Sequence, residues 1–214
     1  LSVYRPIDAD QLNHLIDDAH RAFLKWRKHS FEHRAALMHN LADLLLKTAD
    51  QSTELISKEM GKPLQQAKAE INKCVWVCKY YASHAASFLN PEIIQTDAKK
   101  SWISYEPLGV VFGIMPWNFP FWQVLRFAAP TLMAGNTVLI KHSPNTFGCA
   151  EVISELFLQA GFEKGLYSNL VIETDQSTQV INHSLVKAIS LTGSVRAGAD
   201  VSSKAALQIK KSEL

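Results

Sequence analysis

Residues 1–90 place apolar side chains at helical spacing. One face of a first predicted helix, beginning near Asp8, carries Leu12, Leu15, Ile16, Ala19 and Phe23. This spacing is typical of an amphipathic helix. A second helix is predicted to follow Ser30, because a serine hydroxyl suits the N-cap position. The residues predicted to turn inward from it are Ala36, Leu37, Leu41, Leu44 and Leu45.

Two more helices and a hairpin are predicted before the pattern changes. A short helix should end at Met60, because Gly61 readily takes the left-handed conformation that closes helices. Pro63 suits the start of a long helix that runs toward Phe88. Residues 91–108 contain two short strand-like runs around a polar turn, which is typical of a hairpin. We therefore predict a helical N-terminal part over residues 1–90 and a hairpin over residues 91–108.

From Gly109 onward, short apolar runs alternate with helical patterns. The predicted strands are VVFGIM, TVLIK, YSNLVI and VKAISL, and a segment with helical spacing follows each of them. Successive strand-and-helix units are typical of a parallel sheet with helices on both faces. The predicted fold class is α/β, with a Rossmann-like parallel sheet and flanking helices over residues 109–214. The helical part and the hairpin precede it.

The composition excludes several classes of protein. Hydrophobic residues make up 47% and charged residues 20% of the chain, as in ordinary globular proteins. The net charge is only +2 and no run of basic residues is present, so the sequence does not indicate a nucleic-acid-binding surface. No apolar run approaches the ~18 residues of a membrane span, and no signal peptide is visible. The chain has three cysteines, Cys74, Cys78 and Cys149. Because an odd number does not suit a disulfide framework, we expect a cytoplasmic location.

Three loops are predicted to meet at one edge of the sheet, because ligands of open parallel sheets bind beyond the carboxyl ends of the strands. These loops contain PWNFP, KHSPN and TGSVRAG. Gly193 and Ser194 open a helix, whose N-terminus attracts phosphate. Lys141 is a cation suited to a phosphate or a ribose hydroxyl. Asn118 offers an amide on a loop stiffened by prolines, which suits stabilisation of an oxyanion.

Each of these residues also has an ordinary structural explanation. Gly193 fits a simple strand-to-helix turn, and the glycine spacing differs from the Gly-x-Gly-x-x-Gly fingerprint. Lys141 fits a solvated strand end, and Asn118 fits a turn. A metal site is not predicted, because Cys74 and Cys78 have no further ligand at suitable spacing. Taken singly, the residues leave both readings open.

Taken together, the motifs resemble the aldehyde dehydrogenase superfamily. PWNFP, AGNTVLIK, AGFEKG and TGSVRAG occur in the order and at the spacing of that family, over nearly the whole chain. KEMGKPLQQAKAEI in the helical part is also similar to the family. MPWNFPFWQV, LIKHSPNTFGCA and LTGSVRAGA are most similar to its bacterial succinate-semialdehyde dehydrogenase branch.

The resemblance implies a role for each loop. Asn118 would donate its amide to the oxygen of the thiohemiacetal intermediate, and Arg126 would support the site from the following helix. NADP or NAD would be the cofactor. The residues that would bind it are Met115, Pro116, Trp117, Lys141, His142, Ser143, Pro144, Gly193 and Ser194. Pro144 stands where many NAD-preferring members of the family carry a glutamate, so we expect NADP to be accepted at least as well as NAD.

The nucleophile of the family is a cysteine in a domain that follows this segment. Cys74, Cys78 and Cys149 are interpreted instead as buried small hydrophobes. The general base of the family belongs to a Leu-Glu-Leu-Gly-Gly motif whose first leucine aligns with Leu214. The base would then be the next residue, although a slip of one or two positions would make it Glu213.

The resemblance therefore implies the cofactor-binding portion of an enzyme that oxidises an aldehyde, succinate semialdehyde in particular, to its carboxylate. This chain by itself is expected to be inactive. The family also implies a homo-oligomer, a dimer or tetramer, with the hairpin in its interface. The partner is a small-molecule aldehyde, and no nucleic acid or membrane is expected. The alternative is a non-catalytic, stand-alone nucleotide-binding or interaction module.

Overall fold

The computed structural model describes residues 3–214, and its first part consists of four helices. Their bounds are α1 Ala9–Trp26, α2 Phe31–Lys47, α3 Ala49–Met60 and α4 Leu64–Phe88. Local contacts explain where they begin and end. The Ser30 side chain accepts a hydrogen bond from the His33 amide at the start of α2. Gly61 closes α3 with a φ of 72°, a conformation that costs glycine little. These bounds agree with the predicted pattern.

The inward face of α2 differs from the predicted one. Ala36 is exposed, and Leu37 and Leu44 are only partly buried. The buried positions are Arg34, Met38, Leu41, Ala42 and Leu45. The shift arises because α2 packs against α4, α5 and α6 together. The buried face therefore includes a charged residue that periodicity alone assigns to solvent.

A short antiparallel hairpin follows α4. Its strands are β1 Glu92–Ile93 and β2 Trp102–Ile103, with Glu92 opposite Ile103. All four residues are exposed. The hairpin was predicted, and it presents apolar side chains to solvent.

The remaining chain forms a five-stranded sheet with helices on both faces. Its elements are β3 Val110–Ile114, α5 Trp122–Met133, β4 Thr137–Lys141, α6 Phe147–Gln159, β5 Tyr167–Asn169, α7 Gln176–Asn182, β6 Val186–Leu191, α8 Val195–Leu207 and β7 Lys211–Glu213. The strand order is β5-β4-β3-β6-β7, and every pairing is parallel. This is the predicted fold class. The strand β7 was not predicted, because it is short, polar and exposed and its sequence carries no apolar alternation.

Two clusters of buried apolar side chains join the helices to the sheet. One lies among α2, α3, α4, α5 and α6, and the other includes Leu12 and Ile16 of α1 with Phe112 and Leu139 of the sheet. Because α1 packs directly on β3 and β4, the helical part shares its core with the sheet. The division at residues 90 and 108 stays a prediction.

The C-terminal end of α5 is held by side chains from α1 and α2. The indole nitrogen of Trp26 donates to the Leu132 carbonyl at 2.9 Å, and a guanidinium nitrogen of Arg34 donates to the Met133 carbonyl at 2.9 Å. These carbonyls belong to the last turn of α5, where helical i to i−4 hydrogen bonding ends and side chains can supply donors. Within residues 3–214, no helix is long and apolar enough to cross a membrane.

Candidate functional site

The three predicted loops meet at one edge of the sheet. Their strands, β4, β3 and β6, are neighbours in that order. The Met115 amide donates to the Lys141 carbonyl at 3.0 Å, and the Thr192 amide donates to the Ile114 carbonyl at 3.1 Å. The carboxyl ends of the three strands are therefore level, which is the place where open parallel sheets bind ligands.

A cavity of about 480 Å³ opens beside these strand ends. Ile114, Lys141 and Leu191 line it from the strands, and α7 and α8 form its walls. The residues contributed by α8 and its N-cap are Ser194, Arg196, Ala197, Asp200, Val201 and Lys204. This volume and the mixture of apolar and cationic groups suit an anionic ligand of small-molecule size.

Lys141 provides a buried cation in this cavity. It is 8% exposed, and its ammonium has no hydrogen-bond or ion-pair partner among residues 3–214. Burial lowers the pKa of Lys141, while the carboxylate of Glu173 acts in the opposite direction. A buried ammonium without a partner favours a ligand that supplies acceptor oxygens, such as a phosphate or a sugar hydroxyl.

The loop after β6 contributes a helix N-terminus. The Ser194 hydroxyl accepts a hydrogen bond from the Ala197 amide at 3.3 Å and so caps α8. Gly193 precedes it and is exposed. Arg126 of α5 donates to the Thr192 hydroxyl at 3.1 Å. Arg126 therefore contacts this loop from α5, and its supporting role at the site stays a prediction.

The loop after β3 presents Asn118 to solvent. Trp117, Asn118 and Phe119 are exposed, and the Asn118 amide has no hydrogen-bond partner within residues 3–214. The flanking backbone is fixed, because the Gln123 amide donates to the Phe119 carbonyl at 3.0 Å. An amide held free on a fixed loop can donate to a negatively charged oxygen without first losing another bond.

Two glutamates of the helical part cap the helices that follow these loops. Glu70 of α4 accepts from the amides of Phe121 and Trp122, at 2.9 and 3.0 Å, at the start of α5. Glu59 of α3 accepts from the amides of Gly148 and Cys149, at 2.8 and 2.9 Å, at the start of α6. Carboxylates stabilise helix N-termini. Sequence analysis missed both glutamates, since the bonds of Glu70 span 51 and 52 residues and leave no local signal.

Other predicted cofactor residues lie away from the cavity. His142 is buried, and its Nε2 lies 3.3 Å from the Tyr167 hydroxyl. Met115 is buried and lines a second cavity together with residues of α5. Ser143 donates to the Asn145 side chain at 2.6 Å, and Pro144 is exposed on a separate pocket that Glu173 also lines. The structure thus brings Lys141 and Ser194 to the cavity and leaves the His142 side chain outside it.

His142 should make the folded state sensitive to acid. Burial, and secondarily the Lys141 charge, lowers the pKa of His142 from 6.5 to about 3. Between these values the unfolded chain binds a proton that the folded chain excludes, so stability falls as pH decreases. We expect this group to contribute a slope of up to ~1.4 kcal/mol per pH unit. Chemical denaturation of the wild type and of His142→Gln at several pH values measures this slope of unfolding free energy against pH. Equal slopes for the two proteins would contradict the role assigned to His142.

The three cysteines are buried and unpaired. Burial raises the pKa of the Cys78 thiol to about 12, and burial is also the main cause that raises the pKa of Cys74 and Cys149. These groups remain thiols near neutral pH, and a thiol is a poor nucleophile.

Glu213, the alternative position for the general base, lies on the exposed edge strand β7, opposite Ser190 of β6.

Comparisons with known proteins give a consistent result. Residues 2–214 match the sequence profile described as aldehyde dehydrogenase family. The chain is 45% identical, over 95% of its length and 45% of the relative, to a protein of Synechocystis sp. named "Probable succinate-semialdehyde dehydrogenase (NADP(+))". It is 38% identical, over 99% of its length and 46% of the relative, to "Succinate semialdehyde dehydrogenase (NAD(P)+) Sad" of Escherichia coli.

Solved structures resemble the whole chain as well. The succinic semialdehyde dehydrogenase of Streptococcus pyogenes in complex with NADP+ superposes with a TM-score of 0.96 at 34% identity, covering 99% of this chain and 47% of that one. A structure of Gox0499 superposes with a TM-score of 0.98 at 35% identity, covering 99% and 47%. The chain spans about half the length of the curated relatives it matches.

Proposed function

The chain belongs to the aldehyde dehydrogenase family, and from this premise we propose that it forms the cofactor-binding part of an NAD(P)-dependent enzyme that oxidises succinate semialdehyde. The observation that carries the proposal is the partnerless, buried Lys141 ammonium in a cavity at the strand ends. The names of the relatives support the cofactor and the aldehyde.

In this proposal Lys141 binds the adenosine ribose or its phosphate, and the N-terminus of α8 at Ser194 faces the pyrophosphate. A nicotinamide cofactor held by these residues would supply the hydride acceptor for the oxidation. Pro116 and Trp117 border the cofactor on the loop after β3. Asn118 donates its amide to the aldehyde oxygen as negative charge develops there.

We propose that the nucleophile is none of the three cysteines in this chain, since each is buried as a thiol. The exposed apolar side chains of the hairpin, including Ile93 and Trp102, support its use in a homo-oligomer. Unpaired cysteines support a reducing compartment such as the cytoplasm.

Steady-state oxidation of several aldehydes by the full-length gene product tests the function. We expect NAD(P)H formation that is fastest, by kcat/KM, with succinate semialdehyde and that persists in Cys149→Ala. Cofactor binding without any aldehyde turnover would favour the second candidate, a nucleotide-binding module that does not catalyse. Loss of turnover in Cys149→Ala, with cofactor affinity retained, would contradict the assignment of the cysteines.

The residue after Ser143 should control cofactor choice. Pro144 borders the neighbouring pocket that Glu173 also lines and carries no carboxylate, so the 2′-phosphate of NADP would meet no repulsion from this position. We expect NADP to bind the full-length product at least as tightly as NAD and Pro144→Glu to weaken NADP selectively. Fluorescence titration with both cofactors measures this.

Glu173 supplies the matched control for this experiment. Its carboxylate already acts on Lys141, so Glu173→Gln should leave NADP affinity equal or higher. NADP binding ~100-fold weaker than NAD, about 2.7 kcal/mol, would refute the expectation, and so would unchanged NADP affinity in Pro144→Glu.

A further inference from the structure

A buried ion pair lies beneath the loop that carries Asn118. The Lys62 ammonium, in the link between α3 and α4, contacts the Glu70 carboxylate of α4. Their side chains are 6% and 0% exposed. The other ion pairs among residues 3–214 join solvent-accessible side chains.

Both members of the pair reach the Asn118 loop. One Glu70 oxygen, Oε1, accepts from the Phe121 and Trp122 amides, while the other contacts Lys62. The Lys62 ammonium also lies 3.6 Å from the centroid of the Phe119 ring. The Phe119 ring and the amides of Phe121 and Trp122, which follow Asn118, therefore all contact the Lys62–Glu70 ion pair of the helical part.

Burial of two charges needs an explanation in function or in specificity. Removing an ion pair from water is costly, and a hydrophobic pair of similar volume is often at least as stable. Neither side chain is exposed enough to contact a substrate, which excludes direct participation in the reaction. Their contacts lie on residues 119, 121 and 122, immediately after the amide that the proposed function uses.

We infer that Lys62 and Glu70 are positioning residues that fix the Asn118 amide in the geometry needed for oxyanion stabilisation, an inference that rests on the proposed function. Glu70 fixes the start of α5 through two backbone amides, and Lys62 fixes the Phe119 ring. The pair therefore limits the orientations available to the residue just before them. A displacement of about 1 Å at such a donor is enough to cost ~100-fold in rate.

The test compares Glu70→Gln and Lys62→Met with Glu59→Gln in the full-length gene product. Glu59 is a matched control, because it caps α6 through two amides just as Glu70 caps α5. Hydrogen exchange of the Phe121 and Trp122 amides should accelerate at least ~10-fold in the first two variants and stay unchanged in Glu59→Gln. The kcat of the first two variants should fall by at least ~10-fold, with cofactor affinity within about two-fold of wild type.

A double-mutant cycle separates positioning from general stability. If Glu70 acts through Asn118, Glu70→Gln should lower kcat less than about two-fold further in an Asn118→Ala background. A merely structural role would give the same loss in both backgrounds. The charge-free double variant Glu70→Gln/Lys62→Met leaves no lone buried charge, so it tests the loop if a single variant fails to fold.

Unchanged exchange of the Phe121 and Trp122 amides in folded Glu70→Gln or in the charge-free variant overturns the inference, and so do additive losses in the cycle. Absence of aldehyde oxidation by the wild-type protein overturns the proposed function instead. In that case the exchange comparison still decides whether the pair fixes the loop.

Discussion

Asn118→Ala in the full-length gene product is expected to lower kcat for aldehyde oxidation by ~10²–10³, the usual loss on removing one oxyanion donor. The reason is that its amide is free of other partners within residues 3–214 and stands on a fixed loop at the strand ends. Affinity for the cofactor should stay within about two-fold, because Lys141 and Ser194 line the separate cavity. Steady-state kinetics and fluorescence titration measure the two effects.

Asn118→Asp is the matched control for shape. It has nearly the same size as asparagine, but it replaces a donor by a carboxylate that repels a developing negative charge. Its loss of kcat should be at least as large as that of Asn118→Ala. Near-normal kcat in either variant, or a loss confined to cofactor binding, would remove Asn118 from the role we assign to it.

Phe112→Ala should produce the largest loss of stability. Phe112 lies on the central strand β3, is fully buried, and pairs in register with Leu139 and Ile189. Its truncation leaves a cavity between the sheet and α1, so we expect the free energy of unfolding to fall by ~3–5 kcal/mol. Urea denaturation followed by circular dichroism measures the change.

Phe88→Ala is the matched control on the surface. Phe88 is 51% exposed at the end of α4, so its truncation should cost about 1 kcal/mol or less. Comparable losses for the two phenylalanines would show that the sheet repacks around residue 112. The buried core between sheet and α1 would then be less rigid than its packing indicates.

The elements with strong local signals were predictable from sequence. Ser30 and Gly61 sit at helix ends where their own chemistry places them. The strands β3, β4 and β6 are short apolar runs, and their order brings the loops of Asn118, Lys141 and Ser194 together. Predictions of this kind succeed because the side chain and the backbone that it controls are close in sequence.

Features that depend on distant contacts were not predictable. Lys62, Glu70 and Glu59 act on backbone far along the chain, and nothing around them distinguishes them from surface charges. His142 follows the last residue of β4 and lies against Tyr167, whereas Lys141 lines the cavity, and adjacency in sequence does not reveal this difference. The edge strand β7 owes its conformation to pairing with β6 rather than to its own composition.

The capping of α5 and α6 by glutamates of α4 and α3 also has a consequence for the order of events during translation. Glu70 leaves the ribosome 51 residues before the Phe121 amide that it binds, and Glu59 leaves it 89 residues before that of Gly148. Until those amides emerge, neither carboxylate can make the backbone contacts of the folded protein, and α2 cannot pack against α5 and α6. The helical part therefore completes its packing only after α6 has been synthesised.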